Sequence, residues 1–555
     1  PMVDSGYQHA VALKADGTVW AWGLGTSGQL GTGYQTSTTF PALVHEMGYV
    51  CPACGTLCHE STDGAPGVGH ALLCPNCGQV FDRDSVTGAN GAAVAVGQAT
   101  GGVLENIVGV SAGDGFTLAV DASGNVWAWG TKEHVVPGTT ALTARKIDFS
   151  LSLDENRGAG YVMPKIVAVA AGADHALALD ANGTVWAWGS DTYGQLGLDD
   201  VTGYGYHDLP THVTRGDAAA DSYSTVDIAS GYKYLDHVVA IEAGSQFSMA
   251  LRSDGTMYVW GRNDVNQLGL GDTTHGADVN VTSTSTYHTV QQITAEDTLK
   301  RAVPTRLDVK DSLGSSLPIQ AIAAGDRSGT ALTMDGQVYT WGTYWLFQYL
   351  HCRYWSDYYG WHHAPSVHQY YEEIQSPRQV VLADGVTGRS IAAGVNAGYS
   401  LGSDGKVYAW GSNAYGQYGD GTHTGDQYSL YFEQNSYNTS PNLAAVTFYN
   451  RDGAAVLTLS KDQMMYQGHP VSAGIGPGDG DGKLTNVLMI AAGKETGYMV
   501  STDGYVYGWG RNEVGEVGNV SINDRYTTAS ASGSHSGYTV TNRYAATSEL
   551  PYLVG

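Results

Sequence analysis

Two pairs of cysteines carry the clearest metal-binding pattern in the sequence. Cys51 and Cys54 are separated by two residues, as are Cys74 and Cys77, and 19 residues lie between the pairs. Thiolates bind zinc tetrahedrally, and two such pairs supply all four ligands. Because four thiolates leave no position open for water or a substrate, the spacing predicts a structural zinc ion. Two disulfides in an oxidising compartment are the alternative.

The segment that contains these cysteines, residues 45–83, resembles a zinc ribbon. Metal binding contributes on the order of 10 kcal/mol to the folding of short zinc-binding segments, which supports zinc as the expected cofactor. A second pattern overlaps the first pair, because Cys54, Cys58 and His59 resemble a c-type haem attachment motif. That motif has two residues between its cysteines whereas this segment has three, so haem is the weaker interpretation.

A second segment, residues 343–376, is rich in aromatic and histidine side chains. Tyr and Trp are favoured at interfaces because each combines an apolar ring with a polar atom, and they also stack on sugar rings. We therefore expect a surface for a protein partner, for self-association or for a glycan; a self-packed loop is the alternative. The adjacent His362 and His363 point in different directions, which disfavours a histidine metal site. The candidate interaction residues are Trp345, Tyr354, Trp355, Tyr358, Tyr359 and Trp361.

The remaining motifs do not support catalysis. In the glycine-rich insertion 447–485, Asp479 and Asp481 evoke a calcium loop, but Pro477 stands at the first ligand position. Leu484 replaces the Ser or Thr of a phosphate-binding loop. The sequence contains neither a Gly-x-Ser-x-Gly nor a His-Glu-x-x-His motif, so we expect a flexible turn in this insertion and no enzyme activity.

The charge balance limits the classes of partner. The formal net charge is −26, from 27 basic and 53 acidic residues. Nucleic acids are bound through clustered Lys and Arg, and the sequence has no such cluster, so we expect no nucleic-acid partner. No apolar run reaches the ~18 residues of a membrane span. Abundant Gly, Ser, Thr, Asn and Tyr, with little Lys, favour an extracellular or cell-surface location.

A repeated frame of glycine and tryptophan organises the whole chain. In each of seven units a second glycine follows the first after eleven residues, and a Trp-Gly pair begins sixteen residues after the first. The first glycines are Gly6, Gly113, Gly172, Gly244, Gly325, Gly394 and Gly493. The tryptophans are Trp22, Trp129, Trp188, Trp260, Trp341, Trp410 and Trp509. Such repetition predicts one small structural unit per repeat, stacked on its neighbours.

The third unit shows how the frame specifies strands. Apolar runs at 168–171, 176–179 and 185–188 are typical of packed strands. The Asp-Ala-Asn-Gly turn at 180–183 tolerates a positive φ and connects two of them. A sheet this small cannot bury both faces alone, but stacking such sheets around an axis buries them. The pattern therefore predicts an all-β propeller.

Five units continue with a Gly-Gln-Leu-Gly-like tail, and most then reach a proline-led strand. The tails begin at Gly28, Gly194, Asn266, Gly416 and Gly515. This order of elements resembles the RCC1 repeat, and the resemblance implies a seven-bladed β-propeller with four strands per blade around a central channel. The second and fifth units lack the tail after Gly130 and Gly342, which predicts remodelled outer edges in those blades.

The repeat places the insertions 45–83 and 447–485 between blade cores, and the insertion 343–376 within the fifth core. The expected cores are 1–44, 107–150, 166–214, 238–308, 319–382, 389–446 and 487–555. We expect the last segment, Pro551–Val554, to join the first unit and close the ring. Pairing of that strand with the next molecule is the alternative.

These observations favour a non-enzymatic, extracellular module for protein–protein interaction or assembly, including a structural subunit of a surface filament or layer. Propellers of the resembled family present broad faces to partners. There are two alternatives. One is a carbohydrate-binding propeller, which the aromatic segment suggests. The other is a guanine-nucleotide exchange regulator of a small GTPase, which the resemblance suggests.

Overall fold

The computed structural model describes most of the chain. The described residues are 1–50, 57–59, 71–73, 80–82, 98–138, 140–149, 165–198, 205–216, 234–271, 300–356, 360–424, 446–450, 454–474, 476–518 and 547–554.

Seven antiparallel sheets form the predicted seven-bladed β-propeller, which is confirmed. The first two blades and the strands between them are β1 (Met2–Ser5), β2 (His9–Leu13), β3 (Val19–Gly23), β4 (Thr38–Leu43), β5 (His45–Val50), β6 (Leu57–His59), β7 (Ala71–Leu73), β8 (Val80–Asp82), β9 (Gln98–Val103), β10 (Ile107–Ala112), β11 (Phe116–Asp121), β12 (Val126–Gly130) and β13 (Ala141–Lys146). Blades three and four are β14 (Ile166–Ala171), β15 (His175–Asp180), β16 (Val185–Ser190), β17 (Tyr206–His212), β18 (Val238–Ala243), β19 (Phe247–Arg252), β20 (Met257–Arg262) and β21 (Lys300–Leu307).

The last three blades follow the same plan, with one helix added. Blade five is β22 (Ile319–Ala324), β23 (Ser328–Thr333), β24 (Val338–Ser356) and β25 (Gly360–Val380). The next elements are β26 (Gly388–Ala393), β27 (Ala397–Gly402), β28 (Val407–Gly411), β29 (Thr422–His423), β30 (Val446–Asn450), β31 (Ala455–Leu459), α1 (Lys461–Tyr466) and β32 (His469–Pro470). Blade seven is β33 (Val487–Ala492), β34 (Thr496–Ser501), β35 (Val506–Arg511) and β36 (Thr547–Leu553).

Within a blade, the aspartate of the turn fixes the hairpin between the second and third strands. Asp180 Oδ1 accepts hydrogen bonds from the backbone N–H groups of Asn182 and Thr184, and Oδ2 accepts one from Trp186 Nε1 at 3.1 Å. Gly183 has a φ of 79°, which a side chain would disfavour. The turn carboxylate therefore has a structural task, as its position in the repeat predicts.

Neighbouring blades are joined by the frame tryptophans, whose indole rings are fully buried. Each of six indole N–H groups donates to a backbone carbonyl of the preceding blade. The pairs are Trp22 to Glu516, Trp129 to Gln29, Trp188 to Val135, Trp260 to Gln195, Trp341 to Gln267 and Trp509 to Gln417, at 2.7–3.2 Å. A buried N–H group needs such a partner, so each pair fixes the spacing between two blades.

The Gly-Gln-Leu-Gly tail explains why five of these acceptors are held in place. In each tail the Gln or Glu side chain accepts a hydrogen bond from the N–H group two residues earlier, which closes a tight turn around the accepting carbonyl. The five side chains are Gln29, Gln195, Gln267, Gln417 and Glu516, with distances of 2.8–2.9 Å. The tail is therefore the socket into which the tryptophan of the next blade is fitted.

The two units without the tail contact the tryptophan of the next blade in other ways. In blade two, a turn over 132–136 with His134 at a φ of 65° brings the Val135 carbonyl to Trp188. In blade five the third and fourth strands continue as a hairpin instead. Trp410 Nε1 of blade six, although buried, consequently has no hydrogen-bond partner among the described residues.

The ring is closed, as expected, but the first and last strands do not pair with each other. Strand β36 pairs with β35 of its own blade. Closure comes from packing of blade seven on blade one, where Val3 and Trp22 form an apolar cluster with Tyr498. The expectation that the last strand joins the first unit is therefore wrong, because the proline-led strand is the outer edge of the preceding repeat.

The insertions extend the blades from which they leave. Strand β5 of the 45–83 segment runs parallel to β13 and enlarges the sheet of blade two. Segment 447–485 contains helix α1, whose N-terminus is capped by Ser460, and also β32, the outer strand of blade six. That segment is thus partly blade. Cys51, Cys54, Cys74 and Cys77 lie outside the described residues.

A matched pair of substitutions tests the socket. Trp341 and Trp410 are both fully buried, and each packs on a glycine of the second strand, but only Trp341 donates to a carbonyl. Both Trp→Phe changes remove similar volume, whereas only Trp341→Phe leaves the Gln267 carbonyl without its donor. We expect Trp341→Phe to cost about 1–3 kcal/mol more than Trp410→Phe, measured by chemical unfolding. Equal losses would show that the indole hydrogen bonds contribute nothing to stability.

Candidate interaction surface and central channel

The insertion of blade five and one mouth of the central channel lie on the same face of the ring. Since the strands of a blade are antiparallel, the turns between first and second strands and the connections between third and fourth strands share one face. We call it the hairpin face, and its inner turns are residues 6–8, 113–115, 172–174, 244–246, 325–327, 394–396 and 493–495.

A long β-hairpin projects from this face. Strands β24 and β25 pair from Val338↔Val380 to Ser356↔Gly360, far beyond the end of their neighbour β23, whose last partner is Gly342. The aromatic segment predicted to leave the blade as a loop is therefore a two-stranded ribbon.

The candidate interaction residues are distributed along this ribbon. Trp345 lies at its base. Tyr354 and Trp355 are in β24 and Trp361 is in β25, where Trp355 is the direct cross-strand partner of Trp361. Tyr358 and Tyr359 lie outside the described residues.

The base of the hairpin is fixed to blade six. Tyr344 and Leu346 are fully buried, whereas Trp345 between them is 41% exposed. The N–H group of Trp345 donates to Asn396 Oδ1 at 3.0 Å, and Ser412 Oγ donates to the carbonyl of Leu346 at 3.0 Å. The hairpin base thus replaces the missing tail as the link between blades five and six.

Helix α1 supports the other strand of the hairpin. Lys461 Nζ lies 3.0 Å from Glu372 Oε2, and the Tyr466 hydroxyl donates to Glu372 Oε1 at 3.4 Å. The Arg378 guanidinium stacks on the Tyr466 ring at 3.6 Å. These contacts attach the lower part of β25 to a rigid element and make the direction of the ribbon a property of the fold.

The inner strands of all seven blades surround a central cavity of about 300 Å³. Tyr7 reaches from blade one across the mouth on the hairpin face, where its hydroxyl donates to Asp326 Oδ1 and lies 3.4 Å from Ser245 Oγ. Burial and the Asp326 carboxylate both raise the pKa of Tyr7. Lys494 Nζ lies 5.2 Å from the centre of the same ring. Tyr7 therefore partly closes this mouth.

Besides Asp326 at the mouth, two carboxyl groups line the channel wall. The residues two positions before the frame glycines are Asp4, Ser111, Ala170, Glu242, Ala323, Ala392 and Ala491, and all of them line the cavity. Blades one and four stand on opposite sides of the ring, so Asp4 and Glu242 line the same channel from different sides. Burial and the repulsion of Asp4 raise the pKa of Glu242 to about 8. Burial also raises the pKa of Asp4, although N–H groups of Ala112 and Ser5 donate to its carboxylate.

A continuous set of contacts joins the channel mouth to the hairpin. Asp326 accepts from Tyr7 on one side and lies 3.5 Å from Arg327 Nε on the other. The Arg327 guanidinium is 5.4 Å from the centre of the Trp345 ring, within the range of a cation–π contact. Through these contacts the exposed Trp345 at the hairpin base is connected to Tyr7 at the channel mouth.

Charged groups elsewhere on the hairpin face are paired. Arg511 lies 3.1 Å from Glu495 and also contacts Glu513, and Lys132 lies 3.3 Å from Asp114. Burial raises the pKa of Glu495 despite Arg511. The face presents mixed charge of both signs, which suits a protein partner better than a polyanion.

The described residues contain no group of three or more His, Cys, Asp and Glu that could hold a metal ion. His9 and His175 are buried blade residues, whose Nε2 atoms lie 2.8 and 2.9 Å from Thr117 Oγ1 and Ser248 Oγ of the next blades. Burial lowers the pKa of His9 to about 4. Sequence reasoning missed Asp4, Glu242 and Tyr7; the available signal was a carboxylate at a repeat position that is otherwise Ala or Ser. No described helix is long and apolar enough to cross a membrane.

The geometry defines a closed seven-bladed β-propeller, and comparison with known proteins identifies its repeat. A family profile described as "Regulator of chromosome condensation (RCC1) repeat" matches residues 3–29, 107–132, 166–195, 238–267 and 389–417. A second profile with the same description matches residues 182–251 and 254–332. The propeller therefore carries RCC1 repeats in these ranges.

Curated relatives share the repeat at moderate identity. The E3 ubiquitin-protein ligase HERC2 of Homo sapiens is 27% identical over 75% of this chain, which spans 6% of that protein. Protein pim1 of Schizosaccharomyces pombe is 25% identical over 61% of this chain and 58% of its own length. The crystal structure of human WBSCR16 is similar with a TM-score of 0.52 and 17% identity, over 97% of this chain and 94% of the other. That likeness concerns the fold.

The channel carboxyl makes stability depend on pH. Because the pKa of Glu242 is higher in the folded than in the unfolded chain, deprotonation of Glu242 favours the unfolded state. The free energy of unfolding of the wild type should therefore fall as the pH rises from about 4.5, the ordinary pKa of glutamate, to about 8. Glu242→Gln should flatten this dependence and add on the order of 1 kcal/mol at pH 8. Thermal unfolding across the pH range measures it, with exposed Glu105→Gln as the control. An unchanged profile in Glu242→Gln would contradict the assignment.

Proposed function

We propose that this chain is a non-enzymatic protein-interaction module that assembles with further copies of itself through the hairpin of blade five. The observation that carries the proposal is the ribbon itself. Beyond its base, which is hydrogen-bonded to blade six through Trp345 and Leu346, the ribbon pairs as strands only with itself among the described residues. It therefore presents a strand edge on each side. Such an edge is a template for β-strand addition.

The contacts of the base support an interface role. A rigid anchor lowers the ordering cost of binding, and the hairpin is anchored through Trp345, Leu346 and Glu372. Trp345 with Arg327 presents an aromatic and guanidinium pair, the residue types enriched at the energetic centres of interfaces. Tyr354, Trp355 and Trp361, which belong to the predicted aromatic cluster, lie at the far end of the same ribbon.

The topology supports stacking of rings as the mode of assembly. The hairpin leaves the hairpin face, whereas the 45–103 segment follows the fourth strand of blade one and therefore starts on the opposite face. Contacts between the hairpin of one ring and the opposite face of the next would be head-to-tail, and such contacts produce filaments or layers when they do not close. We extend the proposal to an extracellular or cell-surface location and to a structural zinc ion on Cys51, Cys54, Cys74 and Cys77.

Self-association has a direct test in sedimentation velocity of the full chain. We expect concentration-dependent oligomers in the wild type, and their loss in Trp345→Ala and in the double variant Trp355→Ala, Trp361→Ala. The stability change of Trp345→Ala should stay within about 0.5 kcal/mol, as for other surface sites. Phe40→Ala is the control, since Phe40 is an exposed aromatic residue in β4, the outer strand of blade one, and lies outside the hairpin. A wild type that is monomeric at every concentration, or variants that still assemble, would refute the proposed interface.

The zinc proposal has a separate readout. Purified protein should contain one zinc ion per chain, and Cys51→Ser or Cys74→Ser should each remove it, because three thiolates bind zinc far more weakly than four. Mass spectrometry after alkylation under denaturing, chelating conditions should then find these cysteines as free thiols. Two disulfides and no metal would exclude the zinc site.

A further inference from the structure

The first strands of blades two to seven carry a β-bulge where they begin, on the face opposite the hairpin face. In blade two, Ile107 pairs with Asp121 and Gly109 pairs with Val120, so Val108 between them is the extra residue. The same irregularity recurs five positions before the frame glycine in blades three to seven. A bulge redirects the side chain of its extra residue, so the six extra residues form a structurally equivalent set.

Four of these six residues are aliphatic and exposed, and we call them the collar. They are Val108, Val167, Val239 and Leu488, with exposed fractions of 54%, 46%, 55% and 53%. The equivalent residues of blades five and six are the exposed Gln320 and Arg389. Since the same bulge forms around a polar side chain in two blades, the fold does not require an aliphatic residue at this position. The collar therefore has another reason to be apolar.

The collar lies at the mouth of the central channel on the opposite face. The lining of the cavity ends at Met2 and Met489, four positions before their frame glycines, and the collar position is one residue further out. Strand β10 packs on β14, and β14 packs on β18, so three of the four collar residues form an arc over consecutive blades. Exposed apolar residues that are grouped in this way mark interaction sites, whereas single ones do not.

We propose that the collar is the docking site for the far end of the ribbon of a second copy of this chain. This inference rests on the proposed function and names the surface that receives the ribbon. When rings are joined head to tail, the hairpin face of one ring meets the opposite face of the next. The ribbon and the collar are then the projecting and the receiving parts of one repeated contact.

The dimensions of the ribbon suit this contact. The ribbon continues from Gly342 to Ser356, a distance of roughly 45 Å for a strand that rises ~3.3 Å per residue. Its far end therefore reaches a neighbouring ring before the rest of the hairpin face does. A buried Tyr or Trp covers about 150–250 Å², so Tyr354, Trp355 and Trp361 can supply much of the ~800 Å² per partner that a stable interface buries.

The charge of the chain favours an apolar contact between copies. Each copy has a formal net charge of −26, so two copies repel each other. The collar and the three aromatic residues of the ribbon end carry no charge, and contact between them adds nothing to this repulsion. Because salt screens the repulsion, self-association through the collar should strengthen as the salt concentration rises.

Sedimentation velocity of full-length collar variants tests the docking site. The double variant Val167→Ser, Val239→Ser should weaken self-association about tenfold or more, because it removes apolar area from the arc. The double variant Val108→Ser, Leu488→Ser is the second collar variant and should act in the same direction. Gln320→Ser is the matched control, since it changes the same bulge position in a blade without a collar residue, and it should associate like the wild type.

Mixing two variants tests the pairing of collar and ribbon. A collar variant keeps its ribbon, and the ribbon variant Trp355→Ala, Trp361→Ala keeps its collar. We expect neither to assemble alone at concentrations where the wild type does. An equimolar mixture should form heterodimers and nothing larger, because each copy then has only one working surface.

The outcomes separate this inference from the proposed function. A wild type that stays monomeric at every concentration refutes both. Loss of assembly in the ribbon variant but not in either folded collar variant overturns the collar and leaves the ribbon interface standing. Absence of heterodimers in the mixture, or association of the wild type that weakens with salt, also overturns the collar. Thermal unfolding shows that each variant is folded, and the exposed positions of the collar predict midpoints within about 2 °C of the wild type.

Discussion

The hydrogen bond from each buried indole N–H group to a carbonyl of the preceding blade is the interaction on which the rest of the structure depends. No chain segment connects the inner strands of the first and last blades directly, so the closing seam depends on non-covalent contacts like those between the other blades. At the closing seam, between blades seven and one, Trp22 Nε1 donates to the Glu516 carbonyl. Trp260 Nε1 donates to the Gln195 carbonyl in the same way between blades three and four. The ring is closed because its last socket is built like the others.

The exception at blade five connects architecture to function. There the tail is absent, Trp410 has no acceptor among the described residues, and the seam is held instead by the hairpin base through Asn396 and Leu346. The same base exposes Trp345 to solvent. Trp345 contacts the Arg327 guanidinium, which in turn lies next to Asp326 at the channel mouth. The proposed interface is therefore part of the ring's own construction, and a partner bound there contacts the seam directly.

The repeated part of the fold could be predicted because each frame residue has one physical reason that recurs seven times. Glycine is required where a turn has a positive φ, as at Gly183. Tryptophan is required because its indole N–H group donates to a carbonyl of the preceding blade. The outer strands were less predictable. The proline-led segment at the C-terminus pairs backward with β35, and β32 of blade six lies after a helix inside segment 447–485. Hydrogen-bond partners of an edge strand leave little trace in its own sequence.

The candidate site was predicted in part. Aromatic density indicated the projecting segment, but not that it continues two blade strands as a ribbon, because that depends on pairing between residues such as Gly342 and Ile374. Asp4 and Glu242 were missed because they are far apart in the sequence and line one channel only when the ring is formed. A substitution within a repeat, carboxylate for alanine, was the signal in both cases.

Hydrogen exchange of the seven frame indole N–H groups, followed by NMR with tryptophan assignments from single Trp→Phe variants, tests the central claim most directly. Six groups donate across a seam and should exchange only through large-scale opening of the ring, with similar and strong protection. The Trp410 group, which lacks an acceptor among the described residues, should exchange markedly faster than the others. Equal protection of all seven, or rapid exchange at Trp22 on the closing seam, would contradict the account.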